Sequence, residues 1–171
     1  MKEIVPYENA VDLLDADHKA VKKMFIDFNA MCDDGDPPDA KSVVVQRICQ
    51  ALTVHAQIEE EIFYPAVRKA TGDEALMDEA LQEHAQAKEL IASIQGMKPT
   101  SDNYDAAVKE LGKLIDEHVL EEREQIFLEA QQAPLDLRAL AVPLYERKKQ
   151  LTAAGPKTKA PSPKPTKKEK A

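Results

Sequence analysis

The chain of 171 residues has no tryptophan, two cysteines, five glycines and an aromatic content of 5%. Cys32 and Cys49 are too few for a disulfide framework and lack metal-like spacing, so both read as reduced thiols in or near the core. The shortage of aromatic rings argues against a haem or flavin pocket. No stretch approaches the ~18 consecutive apolar residues that a membrane span requires. The first nine residues carry no apolar signal-peptide core, and the cytoplasm is the expected compartment. With glycine scarce and Ala, Leu, Glu, Lys and Gln abundant, helices are favoured over sheet.

The net charge of -8 conceals a split. Residues 155–171 hold six Lys and one Glu, a balance of +5, which leaves -13 for the rest. So acidic a body is a poor nucleic-acid binder and a reasonable host for cations. The tail is low-complexity Lys, Pro, Ala, Ser and Thr without apolar content, and disorder is expected there. The expected division is thus a folded domain over 1–154 and a basic tail over 155–171.

Apolar spacing predicts helices over about Asn9–Met31, Asp39–Ala70, Asp73–Met97 and Tyr104–Gln131, then a shorter fifth over Leu135–Ala153 bent at Pro143. Pro65 predicts a kink or an early end in the second, and Ser101 or Asp102 is the expected cap of the fourth. Helices of this length joined by short loops imply an all-α, up-down-up-down four-helix bundle, with the fifth helix outside it or across an end.

The whole chain has four histidines, one in each long helix, and all lie on apolar faces. His18 shares its face with Leu14, Val21 and Phe25; His84 shares its own with Met77, Leu81 and Ile91. His55 and His118 are each followed one turn later by a carboxylate, Glu59 and Glu122. Residues four apart project from one side of a helix, so each carboxylate is aimed inward with its histidine. Such groups are costly to bury unless something satisfies them. Because mid-helix positions of a bundle meet at one level, His18, His55, His84 and His118 should converge with Glu59 and Glu122. That donor set suits a first-row transition metal such as iron. Six donors exceed the needs of one ion, and two carboxylates can bridge, so a dinuclear site is the better reading. Glu60, Glu61, Glu121 and Glu124 are expected to form solvated faces, with Glu121 a candidate support for a ligand.

Other metal classes fit less well. The residues three before the histidines are Asp15, Leu52, Leu81 and Ile115, so the Glu-x-x-His pattern of ferritin-like bundles is missing. No two histidines are four apart, as the HExxH of zinc hydrolases requires.

The ordered series His18, His55-x-x-x-Glu59, His84, His118-x-x-x-Glu122 resembles the signature of hemerythrin-like (HHE cation-binding) domains over roughly residues 10–131. The resemblance implies a four-helix bundle around two non-haem irons, one held by His18 and His55, the other by His84 and His118, with Glu59 and Glu122 bridging. It departs from the respiratory hemerythrins at two points. Ala80 stands where they carry a further histidine, and Arg123 occupies the fifth position of the last motif, where they carry Asp. Fewer imidazoles per iron leave more open coordination, which favours reaction with oxygen, peroxide or nitric oxide over stable oxygen storage.

The expected function is therefore binding of oxygen or a related small ligand, for sensing, scavenging or storage. Enzymatic peroxide or oxygen chemistry is the alternative, together with a metal-dependent regulatory module whose protein partner is unknown. The enzymatic reading needs a proton donor. Tyr64 lies nine residues after His55, about 180° round an ideal helix, and is expected to point away.

Overall fold

The computed structural model describes residues 4–155. The tail expected to be disordered therefore lies, apart from Gly155, outside the described residues. Helix α1 spans Ala10–Asp33, α2 Pro38–Ile58, α3 Tyr64–Thr71, α4 Glu74–Gly96, α5 Tyr104–Glu121, α6 Phe127–Gln132 and α7 Leu137–Ala154. Single π-helical turns, Glu59–Phe63 and Glu122–Ile126, join α2 to α3 and α5 to α6. Five rods result, and no strand occurs among the described residues. No described helix is long and apolar enough to cross a membrane.

The helix ends follow local chemistry. Asn9, Asp73 and Asp136 cap α1, α4 and α7 by accepting backbone N–H bonds at 3.0, 3.1 and 3.0 Å. Pro38 opens α2, where its missing N–H would have no partner inside the helix. The fourth rod departs from expectation: Asn103, not Ser101 or Asp102, holds the cap position of α5, and its side chain makes no capping bond. Backbone turns serve instead, with Tyr104 N–H donating to Ser101 O at 3.1 Å. Gly72, at a φ of 70°, closes α3 in the left-handed region that glycine adopts without strain.

Pro65 neither ends nor breaks its rod. It lies in the first turn of α3, directly after the wider π turn. α1 packs against α2 and α5, α4 against α2 and α5, and α7 lies outside against α1 and α2. Two apolar clusters fill the interior. One contains Leu13, Leu14, Ile58, Phe63, Tyr64, Met77, Ile126 and Phe127. The other contains Val21, Phe25, Phe28, Ile48, Cys49, Ile91, Val108 and Leu111. Each large side chain so buried contributes roughly 1.5–3 kcal/mol of transfer free energy. Cys49 is a free thiol within the second cluster, and burial pushes it up to about 11, out of the reactive range.

Candidate metal centre

Six polar side chains lie buried at the level between those clusters: His18, His55, Glu59, His84, His118 and Glu122. These are the six positions singled out as ligands, and the fold brings all of them together. They form two groups of four, His18–His55–Glu59–Glu122 and Glu59–His84–His118–Glu122, which share both carboxylates. Within each group the candidate donor atoms lie within 4.8 Å of one another.

The distances describe a coordination polyhedron better than a set of hydrogen bonds. His18 Nε2 is 3.1 Å from His55 Nε2, and His84 Nε2 is 3.2 Å from His118 Nε2. Glu59 Oε1 lies 3.0 Å from His55 Nε2 and 3.4 Å from His84 Nε2. Glu122 Oε1 is 3.2 Å from His18 Nε2, and its Oε2 is 3.3 Å from His118 Nε2. Donor atoms ~2.1 Å from one metal ion and at right angles lie about 3.0 Å apart. Moreover, both oxygens of Glu59 and Oε1 of Glu122 are fully buried without a properly directed hydrogen bond. Acceptors left so in a core are expensive, and a cation between them and the imidazoles removes the deficit. Each group of four has the composition and spacing to hold a metal ion.

The outer face of three of the four imidazoles meets a carboxylate. His55 Nδ1–H donates to Asp17 Oδ2 at 2.9 Å, His84 Nδ1–H to Glu60 Oε2 at 3.2 Å, and His118 Nδ1–H to Glu83 Oε1 at 3.0 Å. Such bonds fix the tautomer that turns Nε2 inward and raise the basicity of the ring. Asp17 is steadied by Lys148 of α7 at 2.5 Å, and Glu60 by Lys88 at 2.6 Å. Glu60 thus supports His84, where a solvated face was expected. Asp17 and Glu83 had no signal in the sequence, because each reaches a histidine on a different helix. His18 is the exception, with Nδ1 3.7 Å from Asp15 Oδ1.

The carboxylates also set the charge. Burial opposes protonation of His118, but Glu122 outweighs it and raises the ring to about 9. His55 is likewise raised well above the ordinary imidazole value, burial being overcome by Glu59 and Asp17. Glu122 is held well below the usual carboxylate range despite its burial, because His118 and His18 face it.

Tyr64 requires a correction. It does not point away: its hydroxyl donates to Glu122 Oε2 at 2.5 Å and lies 3.2 Å from His84 Nε2. The π turn is the reason. Tyr64 N–H bonds to Glu59 O, five residues back, so one extra residue is accommodated and the phase slips by about 100°. Tyr64 then falls within about 80° of His55 instead of opposite it. The same slip gives Phe63 and Tyr64 the inner positions and leaves Ile62 half-buried. After the second π turn the matching residue is Phe127, whose ring stacks on His18 at 5.8 Å and an interplanar angle of 15°.

Beside the imidazoles lies a small cavity of about 40 Å³, walled by Val21, Leu52, Ala56, Ala87, Ile91 and Ile115 and reached by Asp17, Thr53 and Lys88. It exceeds the roughly 10–15 Å³ that a single water needs. It is far below the ~300–1,000 Å³ of sites for organic ligands.

Three comparisons bear on kinship. A curated DNA nickase of Nostoc sp. (strain PCC 7120 / SAG 25.82 / UTEX 2576) is 29% identical over 119 residues, which cover 70% of this chain and 32% of that protein. The chain thus spans about a third of that relative's length. The crystal structure of a hemerythrin HHE cation binding domain-containing protein from Mycobacterium kansasii superposes with a TM-score of 0.72. The two are 18% identical, over 85% of this chain and 88% of the other, and the likeness supports the fold. The family model described as the hemerythrin HHE cation binding domain matches residues 9–130. With most of its length covered by that match, the chain belongs to the hemerythrin HHE cation binding domain family.

Proposed function

We propose that this is a non-haem di-iron protein that binds oxygen or a related small ligand such as nitric oxide or peroxide. The observation that carries the reading is the pair of four-residue donor groups sharing Glu59 and Glu122 beside an apolar cavity of diatomic size. His18 and His55 would hold one ion, His84 and His118 the other, and the two glutamates would bridge. An up-down-up-down connection, which the short loops favour, would bring one histidine from each of the first four rods to a common level. Two ferrous ions, when bound, supply the electrons that reduce an incoming oxidant. The chain's own part is to hold the imidazoles in one tautomer, exclude bulk water and admit only small molecules.

Cytoplasmic placement and a role in sensing, scavenging or storage belong to the same reading. The charge of -13 over residues 1–154 argues against nucleic acid as the ligand.

One observation favours the enzymatic alternative. Tyr64 supplies the proton donor that peroxide chemistry needs, hydrogen-bonded to Glu122 and 3.2 Å from His84 Nε2. Disproportionation of hydrogen peroxide, two molecules giving two waters and one dioxygen, is balanced without an outside reductant.

The test loads the full chain with ferrous iron under anaerobic conditions, removes excess metal and follows the visible spectrum as oxygen, nitric oxide or peroxide is admitted. A new ligand-to-iron charge-transfer band, lost in His55→Ala, supports the proposal. Silence towards all three ligands refutes it. Sustained oxygen evolution from peroxide, slowed in Tyr64→Phe, selects the enzymatic alternative.

A further inference from the structure

The four imidazoles are not supported alike. Asp17 and Glu60 each divide their oxygens, one to a lysine and the other to the histidine they orient. Asp15 stands in the corresponding place beside His18, yet both of its oxygens are drawn to cations. Arg123 Nε and Nη2 lie 2.7 and 2.5 Å from Oδ1, and Lys19 Nζ lies 3.4 Å from Oδ2. His18 Nδ1 is left 3.7 Å from Oδ1, fully buried and without a hydrogen-bond partner. Stacking on Phe127 fixes the plane of the His18 ring, but it offers the outer nitrogen no acceptor. A ring whose outer N–H finds no acceptor is a poorer donor to metal at its other nitrogen.

We propose that Arg123 keeps the two halves of the centre unequal: by drawing Asp15 off His18, it makes the ion held by His18 and His55 the more weakly bound and the first to leave. The inference rests on the paired-metal reading above. Loss of such an outer partner commonly changes metal affinity by about 10- to 100-fold. The distance to be closed is small, because a shift of under ~1 Å brings Asp15 within bonding range of Nδ1. Removing Arg123, whose side chain is 44% exposed, should therefore tighten the centre without disturbing the core.

The experiment follows release of iron from the anaerobically loaded full chain to a chromophoric ferrous chelator. Two phases are expected, the faster one missing in His18→Ala. Arg123→Ala should slow the fast phase towards the slow one, while Asp15→Asn alone leaves both nearly unchanged. The double variant Arg123→Ala/Asp15→Asn should return to the rates of the unaltered protein, because the gain runs through Asp15. Lys22→Ala controls for charge; Lys22 lies on the same helix and pairs with Asp116 at 2.7 Å, so its loss should change neither phase. Release in one phase, no slowing in Arg123→Ala, equal slowing in Lys22→Ala, or a gain that survives in the double variant would each overturn the proposal. If the unaltered chain retains fewer than two irons, the paired-metal reading itself fails; if two are retained and leave together, only this inference does.

Discussion

The hydroxyl of Tyr64 lies 2.5 Å from Glu122 Oε2, so a side chain from the second rod is hydrogen-bonded to a carboxylate of the fourth. Burial, reinforced by Glu122 and Glu59, pushes the phenol well above its ordinary value and keeps its proton on oxygen. Tyr64→Phe removes this charge-assisted bond at little cost in packing. The unloaded protein should lose roughly 1.5–3 kcal/mol in a denaturant titration, while iron content per chain stays the same. A loss of iron instead would make Tyr64 part of the metal-holding set.

Asp17 orients His55 and is itself held by Lys148, a residue of α7 beyond the family-matched segment. Asp17→Asn should weaken iron retention by about 10- to 100-fold. Lys148→Ala should do so more mildly, and Lys148→Arg should restore retention. Chelator competition at fixed pH measures all three. Unchanged retention in Asp17→Asn would contradict the role given to that carboxylate.

Protonation of the metal-free centre gives a pH signature with a definite sign. His118 is raised from the ordinary 6.5 to about 9, burial being overcome chiefly by Glu122. Its stabilising charge is fully present below about pH 6.5 and is lost as pH rises through about 9. The unloaded protein should therefore melt at a lower temperature on the alkaline side of that window than at pH 6.5. Metal affinity runs the other way, since the rings must shed their protons to bind. Loading in weak buffer at neutral pH should release protons, and a null result would show that the rings are already neutral.

The cavity walls make a separate prediction about access. Ala87 is buried and lines the space beside the imidazoles. Ala87→Val should leave iron content unchanged and slow the reaction with oxygen or nitric oxide in stopped-flow mixing. Equal rates would mean that ligands arrive by another route.

Much of this centre was legible in the sequence, and the limits have a physical cause. The 3.6-residue period located each histidine on an apolar face, and a place near the middle of its rod brought each to one level. What the period cannot reveal is a change in its own value. At Glu59 and again at Glu122 the helix widens into a π turn. Pro65 follows the first of these, but no proline lies near the second, so proline is not the common cause. What the two share is a buried glutamate one turn after a histidine. Tyr64 was misassigned for that reason alone. Asp17, Glu60 and Glu83 escaped for a different one: each bonds to a histidine on another helix, and sequence spacing within a helix says nothing about such pairs.

In the proposed centre six side chains, two of them shared, hold two metal ions inside the bundle. The most direct test is elemental analysis of the full chain after anaerobic loading with ferrous iron and removal of excess, beside His55→Ala and His118→Ala. Two irons per chain are expected, with one half emptied by each substitution. Fewer than two irons in the unaltered chain, or two that survive both substitutions together, would overturn that reading.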